Sequence, residues 1–373
     1  MTTELIVTLF VALLWFSFVV QAYRSYSNLP KLNPSKELEN DSLAKVLVLI
    51  PARNEEEIII ECLKSVLEQE EIISRVVVVD DRSSDATPEL LSELARDYNQ
   101  LQIIEGSEPA AGHCGKPSAL YNAYSQIAPN EEWLLFLDAD VVLSPGAISS
   151  MVDWAGRKQV ELVSGFPKLL LQSPIEKIVM PSVAALIGRK YPVSEVMDVD
   201  SKCAFANGQL ILVKRANYEA VGGHKAVLSE ILEDVRLAEV LKAKGVSLGL
   251  VNLERLAKTR MYANWRELEE GWTKNLYLLN KGGALSNVLW AVISMLIGCS
   301  GLILLFLLSF PLNIIGLLIV TSAQMIIRWR LGFPVLWSMF SSVSSCCTAY
   351  LLLKSTVLHA FGGNISWKGR KYS

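Results

Sequence analysis

Two carboxylates one residue apart, Asp138 and Asp140, follow directly on the apolar run Trp133-Leu134-Leu135-Phe136-Leu137. If the run is a strand, residues i and i+2 share a side, so both carboxylates project together at its carboxyl end. Like charges held that close repel unless a cation lies between them. Hard oxygen ligands suit Mg2+ or Mn2+, which usually also bind substrate phosphates. A lone D-x-D is explained as well by a solvated turn, but this one has company. Val46 to Ile50 runs into Pro51, Arg53, Asn54 and Glu55; Val76 to Val79 runs into Asp80 and Asp81; and a loop with Gly115 and Lys116 precedes the D-x-D. Such a set suits a nucleotide. Carboxylates accept from base N–H or ribose hydroxyl groups, a lysine neutralises phosphate, and a metal bridges a diphosphate. Further on, Glu233-Asp234 precedes a helical pattern from Val235 to Lys244. A carboxylate there can be the general base for an acceptor hydroxyl, or both acids can simply favour a helix N-terminus. His224, after Gly222-Gly223, can bind diphosphate or cap a turn.

The elements that must position these groups alternate. Val46 to Ile50 is a strand; Ile59, Leu63, Val66 and Leu67 recur at helical spacing; Val76 to Val79 is a second strand. Thr87 before Pro88 reads as the N-cap of a helix lined by Leu90, Leu91 and Leu94, and Leu101 to Ile104 is a third strand. Strand, helix, strand, helix, strand implies α/β architecture with a mostly parallel, doubly wound sheet, continued by Trp133 to Leu137, Leu162 to Ser164 and Leu210 to Val213. Ligands of such sheets bind in the crevice at the carboxyl ends of the strands, where all four loop clusters fall.

The chain has 373 residues, 51% of them hydrophobic, with net charge −3 and mean hydropathy +0.33. The apolar excess lies at the two ends. Leu5 to Val20, extended through Tyr23, approaches the ~20 residues of a spanning helix. It lacks the basic start and cleavage site of a signal peptide and reads as an uncleaved anchor, 1–23. A linker at 24–44 follows. Its Arg24, Lys31 and Lys36, with Lys45, place the α/β domain at 45–258 in the cytoplasm by the positive-inside rule. Two segments are amphipathic. In Pro174 to Pro192, core and membrane interface are equally good readings. The second, 259–284, has a stripe of Trp265, Leu268, Trp272, Leu276 and Leu279 and reads as interfacial. A region at 285–358 offers three spans, Leu285 to Phe310, Pro311 to Ile327 and Phe333 to Leu353, before a basic tail at 359–373. Three full spans would put that tail outside, against the positive-inside rule. The chain is thus expected to be a multi-pass protein of the cell (cytoplasmic) membrane.

Several classes are excluded. No basic field calls for nucleic acid. Gly115-Lys116 lacks the spacing of a phosphate-binding P-loop, and no G-x-G-x-x-G marks a nicotinamide site. The six cysteines form no C-x-x-C pair, so neither a zinc site nor a disulfide framework is expected.

Ile50-Pro51-Ala52-Arg53-Asn54-Glu55, Val79-Asp80-Asp81-Arg82-Ser83-Ser84-Asp85, Gly115-Lys116, Asp138-Ala139-Asp140 and Glu233-Asp234, in that order, resemble the family-2 glycosyltransferases. The resemblance covers about residues 45 to 280. It implies the GT-A nucleotide-diphosphosugar transferase fold, here with N- and C-terminal transmembrane helices, together with a nucleotide-sugar donor, a divalent metal (Mg2+ or Mn2+) and inversion at the anomeric carbon. By this resemblance Pro51, Arg53, Glu55, Asp80, Asp81, Lys116 and Asp138 bind the nucleotide sugar. Asp140, with Asp138, holds the metal, and Asp234, with Glu233 beside it, is the base. Gly222-Gly223-His224-Lys225, Glu270-Gly271-Trp272-Thr273-Lys274 and Trp367-Lys368-Gly369-Arg370-Lys371-Tyr372 are similar to membrane glycosyltransferases of carotenoid pathways, and more distantly to hopanoid-associated ones. They add His224, Trp272, Lys274 and Arg370 as candidates for contacting diphosphate or acceptor. The chain departs from processive polysaccharide synthases in lacking Q-x-x-R-W, and from the commoner Asp-Asp-Gly-Ser pattern in having Arg82 in place of Gly. Arg82 either adds a phosphate contact or is simply exposed. The expected activity is transfer of one hexose, with UDP-glucose as donor, to a hydroxyl or carboxyl of a membrane lipid such as a carotenoid or other terpenoid. The alternatives are a polyprenyl phosphate or glycolipid head group as acceptor, or a non-catalytic nucleotide-sugar-binding subunit.

Overall fold

The structure, a computed structural model, describes residues 3–34, 45–69, 72–280, 283–363, 365–367 and 370–372. Lys36 lies outside them, as do Asn364, Lys368, Gly369 and Ser373 of the tail. In chain order the elements are α1 (Thr3–Ser27), β1 (Val46–Ala52), α2 (Ile59–Leu67), β2 (Ile73–Asp80), α3 (Thr87–Asp97), β3 (Leu101–Glu105), α4 (Gly115–Gln126), β4 (Trp133–Leu137), β5 (Val141–Leu143) and α5 (Ala147–Lys158). They continue with β6 (Leu162–Phe166), β7 (Lys168–Leu169), α6 (Pro174–Lys190), α7 (Val193–Met197), β8 (Leu210–Lys214), α8 (Arg215–Ala220), α9 (Glu233–Ala243), β9 (Leu248–Asn252), β10 (Ala257–Thr259) and α10 (Trp265–Asn280). Last come α11 (Gly283–Leu307), α12 (Leu312–Arg330), α13 (Ser341–Ala360), β11 (Ile365–Trp367) and β12 (Arg370–Tyr372). The chain divides into two compact units. A sheet unit comprises Leu29–Leu170 and Val193–Met261; a helical unit comprises Met1–Asn28, Leu171–Pro192 and Tyr262–Ser373.

In the sheet unit seven strands run in the order β3-β2-β1-β4-β8-β6-β9. Neighbouring strands are parallel except at β8, which is antiparallel to both β4 and β6. The sheet is therefore the mostly parallel one that the alternating pattern predicts, with one reversed strand inserted. Residues 76–79 of β2 are fully buried valines. β-branched side chains suit a pleated strand covered on both faces, and each such burial stabilises by about 1.5–3 kcal/mol. From α2, Ile59, Cys62, Leu63 and Val66 join one core with β1, β2 and β4. At the amino ends of β2 and β4 the buried Glu131 receives Arg75 through two bonds, Nε to Oε1 at 2.8 Å and NH2 to Oε2 at 3.0 Å, plus Ser74 Oγ at 2.6 Å.

Two local expectations are corrected. Asp138 and Asp140 do not continue β4. Asp138 N–H still donates to Gln209 O at 3.0 Å, but Val141 N–H then bonds back to Asp138 O at 3.1 Å, so the pair occupies a turn between β4 and β5. Strand alternation therefore says nothing about their shared side. Thr87 is the first residue of α3, not its N-cap. Its hydroxyl accepts from Glu55 N–H at 2.9 Å, and Asp85 Oδ1 takes the Thr87 N–H at 3.1 Å.

Among the described residues the helical unit holds four segments long and apolar enough to cross a membrane: α1, α11, α12 and the stretch Val335–Ala360 containing α13. Many of their apolar side chains face outward, such as Phe10, Phe306 and Leu336. Arg328 lies inside α12 and is 4% exposed, although the sequence places it at the end of a span. The α10 stripe expected to face lipid is instead covered by protein. Leu268, Trp272, Leu276 and Leu279 are buried, and Trp272 Nε1 points at Met180 Sδ of α6 at 3.4 Å. Periodicity marks an apolar face without saying what covers it.

Both amphipathic helices are joined to long helices through opened backbone ladders. Pro181 inside α6 has no N–H to give to the Lys177 carbonyl. Arg328 supplies the missing donor, NH1 to Lys177 O at 2.8 Å and NH2 to Ile178 O at 3.2 Å. Ser344 Oγ of α13 adds a second donor to Ile178 O at 2.5 Å. In α10, Ser355 Oγ donates to Thr273 O at 2.6 Å and accepts from Tyr277 N–H at 2.9 Å, standing where one helical hydrogen bond would be.

Candidate active site

The loops after β1 and β2 clasp each other. Arg53 NH1 donates to the Asp81 and Arg82 carbonyls at 2.7 and 3.3 Å. Asn54 N–H meets Ser83 Oγ at 3.0 Å, and Asn54 Oδ1 accepts Ser84 N–H at 2.8 Å. Asn54 and Arg82 both take left-handed backbone, φ 53 and 58, a conformation that needs this surrounding support in residues with a Cβ. Asp80 Oδ1 accepts Ser83 N–H at 3.1 Å, and Asp80 and Asp81 are largely buried. Arg82 ion-pairs with Glu108 at 3.3 Å. Pro51 sits within β1 opposite Val79, two residues beyond the last pair that β1 makes with β4.

A second cluster forms around Lys116 at the start of α4. Its Nζ lies 2.7 Å from Asp138 Oδ1, 2.9 Å from Glu233 Oε1 and 3.3 Å from the Gly208 carbonyl. Burial works against this ammonium, but Asp138, Glu233 and Asp234 outweigh it and hold the pKa well above the usual lysine value. Asp234 opens α9. Its Oδ2 accepts Gly208 N–H at 2.7 Å and its Oδ1 accepts Val235 N–H at 2.7 Å. Burial, then the neighbouring Glu233, raise its pKa to about 6, against the pull of Lys116 and the two backbone donors. A carboxylate poised there can gain and lose a proton near neutral pH. Glu233 is buried as well and is tied to Lys116.

Under this cluster the 3%-exposed His224 packs edge-on against Phe136, with ring centroids 4.6 Å apart. Burial drives its pKa down to about 3, Glu233 opposing and Lys116 assisting, so the imidazole is neutral. Cys62 lies behind the D-x-D turn, its Sγ 3.9 Å from Asp138 O. Burial, then Asp140, Glu55 and Asp138, raise its pKa well above normal and keep it a thiol.

The structure thus gathers Lys116, Asp138, Glu233, Asp234 and His224 in one cluster, and Arg53, Asp80 and Asp81 in the adjoining clasp. Glu55 and Asp140 share the charge environment of Cys62 with Asp138. Trp272 and Lys274 belong to α10 of the helical unit, where the Lys274 carbonyl meets His359 Nε2 at 2.9 Å. Arg370 falls in β12, and its side chain lies outside the described residues. Gly208 and Tyr218 escape the sequence reading. An Asn207-Gly208 turn signal is the sole hint of the first.

A divalent metal suits this donor set. Asp138 already accepts a cation, the Lys116 ammonium at 2.7 Å. Two carboxylates at most, with the other ligands from phosphate and water, is the usual arrangement for Mg2+ at a nucleotide site.

Such a sheet, with one reversed strand among parallel ones, is that of the GT-A glycosyltransferase fold. The profile of the family described as "Glycosyltransferase like family 2" matches residues 44–256, more than half of the chain, and the chain belongs to that family: it is a glycosyltransferase. It is 26% identical over 368 residues to the 4,4'-diaponeurosporenoate glycosyltransferase of Staphylococcus haemolyticus, covering 95% of this chain and 96% of that protein. It is likewise 26% identical to the protein of that name in Staphylococcus aureus (strain USA300), covering 87% and 88%. Among solved structures it is similar to the mannosyltransferase PcManGT of Pyrobaculum calidifontis in complex with GDP-Man and Mn2+. The TM-score is 0.54 at 17% identity, covering 95% of this chain and 98% of the other, a likeness of fold.

Proposed function

We propose that the enzyme transfers one hexose, with inversion, from a nucleotide diphosphate sugar (UDP-glucose) to a hydroxyl or carboxyl of a membrane lipid of the carotenoid or terpenoid class. The observation that carries this reading is the Lys116–Asp138–Glu233 cluster with Asp234 set beside it, its proton affinity near neutral. The relatives named as 4,4'-diaponeurosporenoate glycosyltransferases and the four long apolar helices support a lipid acceptor.

In this reading Asp80, Asp81 and Arg53 hold the nucleoside end of the donor, and Lys116 lies against its diphosphate. Asp140 and Asp138 would hold a divalent ion, which when bound neutralises charge on the leaving diphosphate. The acceptor oxygen bonds to the anomeric carbon from the face opposite the leaving group, and the C–O bond to phosphate breaks with its electron pair on the diphosphate. The acceptor hydroxyl proton passes to Asp234, whose carboxylate the Gly208 and Val235 amides hold in one orientation. A carboxyl acceptor is already ionised at neutral pH and needs no base.

The test incubates the full chain, in lipid nanodiscs with Mg2+, with radiolabelled UDP-glucose and in turn a hydroxylated carotenoid, an apocarotenoid carboxylic acid and a polyprenyl phosphate. Label in a carotenoid product, lost in chelator, is the expected result. Label on polyprenyl phosphate alone, or none with any acceptor, overturns the reading.

A further inference from the structure

The directions of the long helices follow from where they touch. Ser309 Oγ, just after α11, donates to Glu4 Oε1 at the start of α1 at 3.0 Å, and Trp15 Nε1 of α1 donates to Ser300 Oγ at 3.0 Å. Leu317 and Val320 close over Gly301, and Leu304 closes over Gly316. Arg330 NH2, at the end of α12, donates to Ser27 Oγ, at the end of α1, at 2.7 Å. So α1, α11 and α12 alternate in direction. Glu4 and Ser309 mark one end of the bundle; Ser27, Arg330 and the start of α11 mark the other.

The alternation stops at α13. Its first turns lie against α11, where Ser342 Oγ donates to Gly298 O at 3.2 Å and Cys346 Sγ is 3.8 Å from Cys299 Sγ. Its last turns meet α10, where Tyr277 N–H donates to Ser355 Oγ and the Tyr277 and His359 rings stack with centroids 5.1 Å apart. One turn further along α10, Asn280 donates to Asn287 near the start of α11. If α13 ran parallel to α11, Ser355 and Asn287 would be about 30 Å apart along the axis, whereas one turn of α10 bridges ~5 Å. Helix α13 is therefore antiparallel to α11 and runs the same way as α12. It also begins where α12 ends, since Ser344 Oγ and Arg328 NH2 share the Ile178 carbonyl. The connector cannot recross a bilayer first. Its 3-10 turn Val335–Phe340 and the residues 331–334 reach ~26 Å at most, short of a ~30 Å hydrocarbon core.

We propose that α13 is not a span but a lipid-docking helix, seated in the leaflet on the side where α1 and α12 end, and that the basic tail lies on that same side. The surface that meets the lipid is an apolar stripe. Val343, Cys346, Tyr350, Leu353, Val357 and Phe361 recur at three- and four-residue steps, and all are exposed. Polar groups of α13 turn inward. Lys354 Nζ and Tyr350 Oη reach Glu269 of α10 at 2.8 and 2.5 Å, and Ser344, Thr348, Ser355 and Thr356 are buried. Such a face suits the boundary between acyl chains and headgroups. Exposed Leu285 and Leu289, on the neighbouring turns of α11, continue it. Three crossings rather than four put the tail on the side of Arg24, which removes its conflict with the positive-inside rule. The inference depends on neither the donor nor the acceptor reading above.

Two measurements on the full chain test this. Asn28→Cys, Ser309→Cys, Phe361→Cys and Ser373→Cys are each treated with a membrane-impermeant polyethylene-glycol maleimide in sealed vesicles of either orientation, against the six native cysteines as background. Phe361→Cys and Ser373→Cys should gain a mass-shifted band from the face that labels Asn28→Cys, and none from the face that labels Ser309→Cys. Labelling of either from the Ser309 face, or of neither from the Asn28 face, overturns the proposal. Depth is read in nanodiscs with a trifluoromethylphenylalanine in place of Val343, Tyr350 or Val357. Dissolved oxygen, most concentrated at the bilayer centre, broadens its 19F line. The broadening should be greatest at Val343 and fall toward Val357, as for a helix leaving the membrane. A maximum at Tyr350, as for a span, a maximum at Val357, or no broadening at any of the three, as for a face in water, overturns it.

Discussion

At the scale of single residues, Asp234 carries the sharpest expectations. General-base catalysis typically contributes ~10²–10⁴-fold, so Asp234→Asn should lower kcat on a hydroxyl acceptor by about that factor with donor affinity little changed. A loss confined to donor affinity would reassign the residue. The pH profile follows from the pKa of about 6. Only the deprotonated carboxylate accepts a proton, so kcat/KM should rise with pH through an apparent value near 6 and level off above it. The acid limb should vanish in the Asn variant, and a flat profile in the wild type contradicts the assignment. Gly208→Ala should also be costly, because its Cβ would lie 2.7 Å from Asp234 Oδ2. A misplacement of about 1 Å can cost ~10²-fold in rate. Turnover should fall by about that factor while the melting temperature changes by only a few degrees, and normal turnover would show that the carboxylate's position is not critical. The acids and Lys116 are legible in the sequence because charge at a strand end is a local signal. Gly208 is not, since its importance lies in a carboxylate 26 residues away approaching its amide.

At the scale of elements, the sheet is held at its other end by Glu131. Burial raises its pKa, but the hydrogen bonds from Arg75 and Ser74, then the backbone, outweigh burial and bring it down to about 2 from 4.5. A depressed carboxyl stabilises the fold above its unfolded value and loses that contribution as pH falls from about 4.5 toward 2. Glu131→Gln should therefore cost about 1–3 kcal/mol at pH 7, read by thermal unfolding, and should blunt the acid sensitivity between those values while leaving kcat at permissive temperature intact. An unchanged melting temperature would show that Arg75, a third exposed, gains as much from water. Alternating apolar runs disclose the parallel strands, since period and length are written into them. The reversal at β8 is not disclosed, because direction depends on how the preceding excursion through α6 and α7 returns. The fate of the α10 stripe is equally hidden: Trp272 meets Met180 from a helix 92 positions away.

For the whole molecule, the four long apolar helices were visible in composition, while the division into two interleaved units was not, since no composition shift marks residues 171–192. Arg24, Lys31 and Lys45 after α1 motivate a cytoplasmic sheet unit. Protease should cleave that unit in inside-out membrane vesicles and spare it in right-side-out ones; the reverse pattern would invert the topology. The opened ladder of α6 has a consequence for biosynthesis. The carbonyl freed at Pro181 receives its donor from Arg328, a residue the ribosome adds about 150 positions later. Until then, a nascent chain whose seven-stranded sheet is already made carries α6 without that donor, its Met180 covered by Trp272 of α10. A chain stopped before Arg328 leaves that carbonyl without its guanidinium donor, so residues near the end of the sequence complete a helix near its middle.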